Sequence, residues 1–407
     1  MHRRRDLLKL AGAAPMAAAA GRLFAAPASP ASSPKLLVVF LRGAYDCASV
    51  LVPTASDFYY ESRPNIAIAR PGQPNGAIAL DDSWGLHPVL GPSLMPLLQR
   101  GHLAFVPFAG IDDDLSRSHF ETQDSIELGQ ALDRRRDLRS GFLNRLALVL
   151  GAGPLVDVAP IAFTDQLPIS LRGEAKAANM ALAGVGRQAI DARQSQVIQA
   201  MYRHTALAEP VAEGFALREE VQRSVQAEMA AASRDAMTSK GFELVARRMA
   251  GLMRERFDLG FVDVGGWDTH VGQGGASGYL AGRLEELGRG LAGFASGMGE
   301  AAWRDTVVVV ISEFGRTFRE NGNRGTDHGH GSVYWVLGGG LAARAGGHVV
   351  GEQVELTQAG LFQNRDYPVR NEYRALFGGL FARMYGLSPS QLDRVFPGVK
   401  PQDLELV

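Results

Sequence analysis

Apolar residues recur along this chain in two spacings. The first is the short continuous run. Leu36-Leu37-Val38-Val39-Phe40-Leu41 is the earliest, and Leu103-Ala104-Phe105-Val106, Gly260-Phe261-Val262-Asp263-Val264, Thr306 to Ile311 and Val333-Tyr334-Trp335-Val336-Leu337 follow. Runs of this length, rich in β-branched and aromatic residues and without alternation, predict strands buried on both faces. The second is a stripe at three- and four-residue spacing. Phe242, Val245, Met249, Leu252 and Met253 form one, Leu217, Val221, Val225 and Met229 another. Tyr373, Phe377, Leu380, Phe381 and Met384 form a third. These predict amphipathic helices between the strands. Strands alternating with helices predict an α/β fold with a doubly wound, mostly parallel sheet and helices on both faces. Residues 190–258 are helix-rich and read as an insertion over the sheet edge.

The first residues are patterned differently. Basic His2-Arg3-Arg4-Arg5 precedes a weakly apolar run from Leu7 to Ala20, and Ala26-Pro27-Ala28 offers a cleavage site before Ser29. That order is a signal peptide, and the run is too short to span a bilayer. Arg4-Arg5-Asp6-Leu7-Leu8-Lys9 resembles the twin-arginine signal, which carries folded cargo. The division is therefore 1–28 twin-arginine signal peptide, 29–34 spacer, and 35–407 a single α/β domain. The expected location is periplasmic or secreted, with the twin-arginine translocation machinery as a partner. No transmembrane anchor is expected in the mature protein.

Composition narrows the chemistry. The net charge is −1, and the signal segment holds an excess of arginine, so the rest is mildly acidic. Such a surface lacks the basic footprint that nucleic acid demands. Cys47 is the only cysteine, which excludes an intrachain disulfide and zinc–thiolate sites. Gly288-Arg289-Gly290-Leu291-Ala292-Gly293 and Gly184-Val185-Gly186-Arg187-Gln188-Ala189 have, or approach, the spacing of a dinucleotide loop. Neither lies between a strand and a helix, so neither is read as one.

Polar residues gather beside the strand ends. Asp46 follows the first run, Ser118 and His119 the second, Asp268 and His270 the third, and Glu313 the fourth; Asp327, His328 and His330 precede the fifth. Ligands of open parallel sheets bind beyond the carboxyl ends of the strands. In an extended segment residues i and i+2 point the same way, so Asp268 with His270, and His328 with His330, can each present two groups to one ion. Carboxylates with imidazoles suit a divalent metal, zinc or manganese. Ser118 and Glu121 also fit a helix capping box; the sequence does not separate a cap from a nucleophile there.

The motifs RGAYDCASVLVP, SRSHFETQD, GWDTH, SEFGRT and GTDHGHGS, in this order, resemble the domain of unknown function 1501 family, within the alkaline phosphatase and sulfatase superfamily. The resemblance implies an alkaline phosphatase-like fold, with one or two divalent metals around a Ser or Thr nucleophile. It puts Ser118 near the nucleophile and His119 beside it. It assigns Asp268, His270 and one of His328 or His330 to a first ion, with Asp327 next to them. Asp46 and Glu313 go to a second ion, where Phe314 replaces a metal-binding histidine. Arg42, Arg316 or Arg324 would hold the anion. No formylglycine sulfatase motif surrounds Cys47. The function implied is an exported metal-dependent hydrolase of phosphate or sulfate esters, acting on a small anionic ester. The alternative is a non-catalytic periplasmic protein that keeps the fold and one metal, bound to an envelope glycan or another exported protein.

Overall fold

The computed structural model describes residues 34–130, 137–152, 158–182, 197–198, 200–205, 207–216 and 241–407. The signal segment, the stripe at Leu217–Met229 and the glycines at 184–186 lie outside the described residues.

Among the described residues eleven strands follow one another. They are β1 (Lys35–Leu41), β2 (Leu51–Val52), β3 (Ile78–Ala79), β4 (Gly85–Leu86), β5 (Leu103–Gly110), β6 (Pro160–Ala162), β7 (Ala178–Asn179), β8 (Leu259–Val264), β9 (Thr306–Ser312), β10 (Ser332–Gly338) and β11 (Asn371–Glu372). Eight of them form one sheet in the order β11-β5-β10-β9-β1-β8-β6-β7. All run the same way except β10, which is antiparallel to both β5 and β9. Strands β2, β4 and β3 make a small antiparallel sheet beside it.

The central strand shows why the continuous runs are continuous. Every residue of β1 is buried. Leu37, Val39 and Leu41 face one core, against Met249 and Met253 of the helix Phe242–Glu255 and Leu284, Leu287 and Leu291 of the helix Tyr279–Arg304. Leu36, Val38 and Phe40 face the other, against Leu146 of the helix Phe142–Gly151 and Leu376, Phe377 and Leu380 of the helix Tyr373–Tyr385. Each such side chain contributes about 1.5–3 kcal/mol on burial, so neither face tolerates a polar residue. The sheet is doubly wound, as expected. The glycine triplet at 288–293 lies inside the helix Tyr279–Arg304. A Cβ on Gly290 would meet the Phe242 ring at 2.1 Å, so glycine there serves close helix packing.

Glu372, the N-cap of the helix Tyr373–Tyr385, accepts a hydrogen bond from the Ala375 amide. Burial pushes its carboxyl up to about 7, against the pull of Arg374. A raised carboxyl stabilises the fold below its unfolded value and loses that contribution as pH rises through its folded one. Glu372→Gln should therefore gain stability relative to the wild type between pH 4.5 and about 7, and gain nothing further above. Urea midpoints across that range check it; a constant difference would reject the assignment.

Candidate metal centre at the strand ends

The crossover connections bring the polar segments to one edge of the sheet. Strands β1, β5, β8 and β9 end there, and β10, being reversed, begins there. Ala44, Arg117 and Arg324, all in these loops, have left-handed backbones (φ 57°, 52° and 55°). Non-glycine residues occupy that region only where surroundings impose it, as they do at functional sites. Gly43 has φ 112°, and a Cβ there would lie 2.9 Å from the Asp268 amide. Its own amide donates to Glu313 Oε1 at 2.8 Å.

Three imidazoles surround one carboxylate. His270 Nε2 lies 2.9 Å from Asp268 Oδ1, His328 Nε2 3.6 Å and His119 Nε2 3.7 Å. His270 Nε2 and His328 Nε2 are 3.1 Å apart. Each ring is anchored through its other nitrogen. His119 Nδ1 meets Glu313 Oε1 at 2.8 Å, His270 Nδ1 meets Asp327 Oδ1 at 2.9 Å, and His328 Nδ1 meets the Arg117 carbonyl at 3.0 Å. A carbonyl or an ionised carboxylate accepts only, so each Nδ1 carries a proton, and in the neutral ring each Nε2 is left to present a lone pair. Metal-binding histidines are held by this arrangement of an outer acceptor.

The charge states agree. Burial alone would raise Asp268, but the hydrogen bond and charge of Arg316, with His270 and His119, hold it below the usual carboxylate range. Burial would also raise Glu313, yet hydrogen bonds from His119, Gln123 and Gly43 hold it low. His328 is pushed down by burial and then by His119, toward its neutral form. An ionised carboxylate at Asp268 and a neutral ring at His328 are the states a divalent ion requires of them.

The dimensions fit a small tetrahedral ion. Bonds of about 2.0–2.1 Å put tetrahedral ligands roughly 3.3–3.4 Å apart, and the separations above bracket that value. The ligand atoms of His119, Asp268 and His328 all lie within 4.8 Å of one another. His119 Nε2 is buried without a hydrogen-bond partner, and the facing lone pairs of His270 and His328 repel unless a cation or proton lies between them.

Other expected groups are placed elsewhere. Asp46 is buried and bound by Arg63 at 2.5 and 3.0 Å, Ser49 at 2.7 Å and Gln273 at 2.6 Å; it is one half of an ion pair, not a ligand. Glu313 accepts from Gly43, His119, Gln123 and Ser312, so it holds His119 and is not free for a second ion. His330 sits at a bend, buried against the Phe362 ring at 4.7 Å, and burial lowers it to about 4. Phe314 stacks on His119 at 5.0 Å and tilts against His328 at 5.2 Å.

The arginines differ from expectation too. Arg42 is paired with Asp263 and Glu127. Arg316 is buried and donates to the carbonyls of Ala44, Thr326 and Gly43 and to Asp268. Both are committed to internal partners, and of the three only Arg324 is exposed. Ser118 caps the helix His119–Leu128, its Oγ accepting from the Glu121 amide at 3.5 Å.

Sequence reading missed Arg63, Gln273, Asn321 and Arg117. The side chains of Arg63 and Gln273 are buried partners of Asp46, Asn321 donates to Asp327 at 3.0 Å, and Arg117 supplies a carbonyl. Arg117 lies inside SRSHFETQD, and Gln273 stands three residues beyond His270 in a glycine-rich loop, so these two stood within or close to recognised motifs. Among the described residues no helix is long and apolar enough to cross a membrane.

Comparison with known proteins adds a family. Residues 33–396 match the family model described as "Protein of unknown function (DUF1501)". No curated protein matches the sequence significantly. Among solved structures the chain is similar to the lipoteichoic acid synthase LtaP from Listeria monocytogenes, with 9% identity and a TM-score of 0.39, covering 92% of this chain and 76% of that one.

Proposed function

Given that this chain belongs to the DUF1501 family, we propose that it is an exported hydrolase of phosphate or sulfate esters that works with a single divalent ion. The observation that carries the reading is the convergence of three anchored imidazoles on Asp268. The donor set favours zinc, with manganese as the other candidate. One ion is preferred to two because Arg63 occupies Asp46, while internal donors, His119 included, occupy Glu313.

The ion would polarise the ester and stabilise charge on its oxygens. The protein's part is to hold His119, His270, His328 and Asp268 in place, with each Nδ1 tied to an outer acceptor, and to offer Ser118 as the attacking hydroxyl. Ser118 lies at the N-terminus of a ten-residue helix, where the helix dipole favours an anion. Gln123 of the same helix lines a cavity of 390 Å³ together with Arg42, Thr164, Gln166 and Asp263. Gln123 joins this cavity to Glu313, so it suits a polar alcohol on the ester.

The test is metal content and turnover of an aryl phosphate and an aryl sulfate by protein folded in the cytoplasm. One bound ion with turnover supports the reading. An ion without turnover of either ester supports the non-catalytic alternative. Ser118→Ala separates the two roles of that residue: loss of the cap costs about 1 kcal/mol, whereas loss of the nucleophile abolishes turnover at unchanged metal content. Full turnover by the folded variant would exclude Ser118 as nucleophile.

Export through the twin-arginine machinery to the periplasm is part of the same proposal, and rests on Arg4-Arg5-Asp6-Leu7-Leu8-Lys9. Replacing Arg4 and Arg5 together by lysine should leave folded, metal-loaded protein in the cytoplasm. Cell fractionation reads this, and export of the double variant at the wild-type level would reject the route.

A further inference from the structure

Behind the cluster lies a buried polar spine that the proposed reaction does not use. Gln273 is fully buried, and its side-chain amide makes four hydrogen bonds. Nε2 donates to Asp46 Oδ2 at 2.6 Å and to Ser49 Oγ at 3.3 Å; Oε1 accepts from Thr269 Oγ1 and Thr326 Oγ1, each at 2.9 Å. The orientation of the amide is dictated by its partners. Arg63 holds the Asp46 carboxyl low against the opposing effect of burial, so that group is ionised and accepts only. Ser49 spends its own hydrogen on Asp46. Two donors on one side and two acceptor sites on the other are the full capacity of a primary amide.

The spine has a fixed end and a functional end. At the fixed end Arg63, with no exposure, donates to Asp46 and to the carbonyls of Phe318 and Thr317. At the functional end, Thr269 precedes His270, and Thr326 precedes Asp327 and His328. The Thr326 amide donates to the Thr269 carbonyl at 3.1 Å, tying the two loops together. The circuit closes through Thr317, whose amide donates to the Asp327 carbonyl at 2.9 Å and whose Oγ1 accepts from the Asp327 amide at 3.0 Å. The Gln273 carbonyl oxygen therefore ties the loops bearing His270 and His328 together from within, alongside the Arg316 guanidinium and the Asn321 amide, which also reach both loops.

We propose that Gln273 is a positioning residue of the metal centre. Its amide transmits the fixed geometry of the Asp46–Arg63 pair to the two loops that carry His270, Asp327 and His328, and so sets the affinity for the ion. This rests on the metal reading above. Outer groups that orient ligands govern metal affinity by roughly 10- to 100-fold.

The experiment compares two buried amides in the full chain. Asn144, also buried, bonds the backbone at Leu171 and Ala175 in a different part of the fold. The probe is Co²⁺, titrated with its visible spectrum recorded, alongside ¹⁵N–¹H spectra of the histidine rings. Gln273→Leu should weaken Co²⁺ binding about 10- to 100-fold, change the cobalt bands, and shift the His270 and His328 ring signals. Asn144→Leu should lower the unfolding midpoint but leave all three unchanged. Wild-type affinity and ring signals in Gln273→Leu, or an equal loss in Asn144→Leu, would overturn the proposal. If Gln273→Leu does not fold, Thr269→Val with Thr326→Val cuts the same link from the other end and is read the same way. If the wild type takes up no Co²⁺, the metal reading fails, and the ring signals alone decide whether Gln273 positions the histidines.

Discussion

Asp268→Ala should lower zinc affinity on the order of a hundredfold or more and leave the protein folded. Asp268 is the one carboxylate that all three Nε2 atoms approach, and it supplies the only negative charge among the four groups. Removing it leaves three imidazoles beside the Arg316 guanidinium, which repels a cation. Outer groups alone are worth 10- to 100-fold, and a direct ligand is worth at least that. The fold should lose about 1 kcal/mol or less, because Asp268 is 47% exposed and Arg316 keeps its carbonyl partners. Asp268→Asn keeps the shape and isolates the charge. Competition against a chelator, with a melting curve for each variant, measures both quantities. Wild-type zinc affinity in Asp268→Ala would move the ion away from this cluster and remove the basis of the hydrolase proposal.

Arg63→Met should be the most damaging single change to stability, at about 3–5 kcal/mol. Asp46 would be left buried without its counter-charge, with only Ser49 and Gln273 as donors. The carbonyls of Phe318 and Thr317 would lose their partner as well. Since an uncompensated charge is the main cost, replacing both members, Arg63→Met with Asp46→Leu, should recover much of the loss. Urea unfolding of the two variants gives the comparison. A single variant that loses less than about 1 kcal/mol would show that the pair contributes little where it stands.

The fold was legible where burial is two-sided. β1, β5, β9 and β10 announce themselves as apolar runs because both faces of the sheet are covered, and β8 does so up to Asp263, where burial becomes partial. β6, β7 and β11 have only two or three residues, too few for any periodicity. The cluster was legible in part. Asp268 and His270 lie in a segment whose alternation aims both at one point. His328 and His330 do not, because the chain bends at His330 and Gly329 packs against the Arg316 backbone, where a Cβ would lie 2.5 Å away. Asp46 illustrates a deeper limit. A carboxylate after a strand reads the same whether its counter-charge is an ion or an arginine 17 residues on, and only the folded chain decides. Glu313 is similar: its position after β9 was evident, but the four donors that occupy it come from three other places in the sequence and from its own neighbour.

The shortness of β7 and β11 has a consequence beyond assignment. They are the two edges of the eight-stranded sheet, and each pairs over two residues only. A long, flat edge is a template on which a second chain can add strands, and native proteins avoid it by ending their sheets early. Here β1, β9 and β10 lie between long neighbours, and β5 and β8 are flanked in part by β11 and β6, so most of their backbone groups face another strand. Two concentrated copies of the folded chain have almost no ladder to extend, and crowding should not string them together through their sheets.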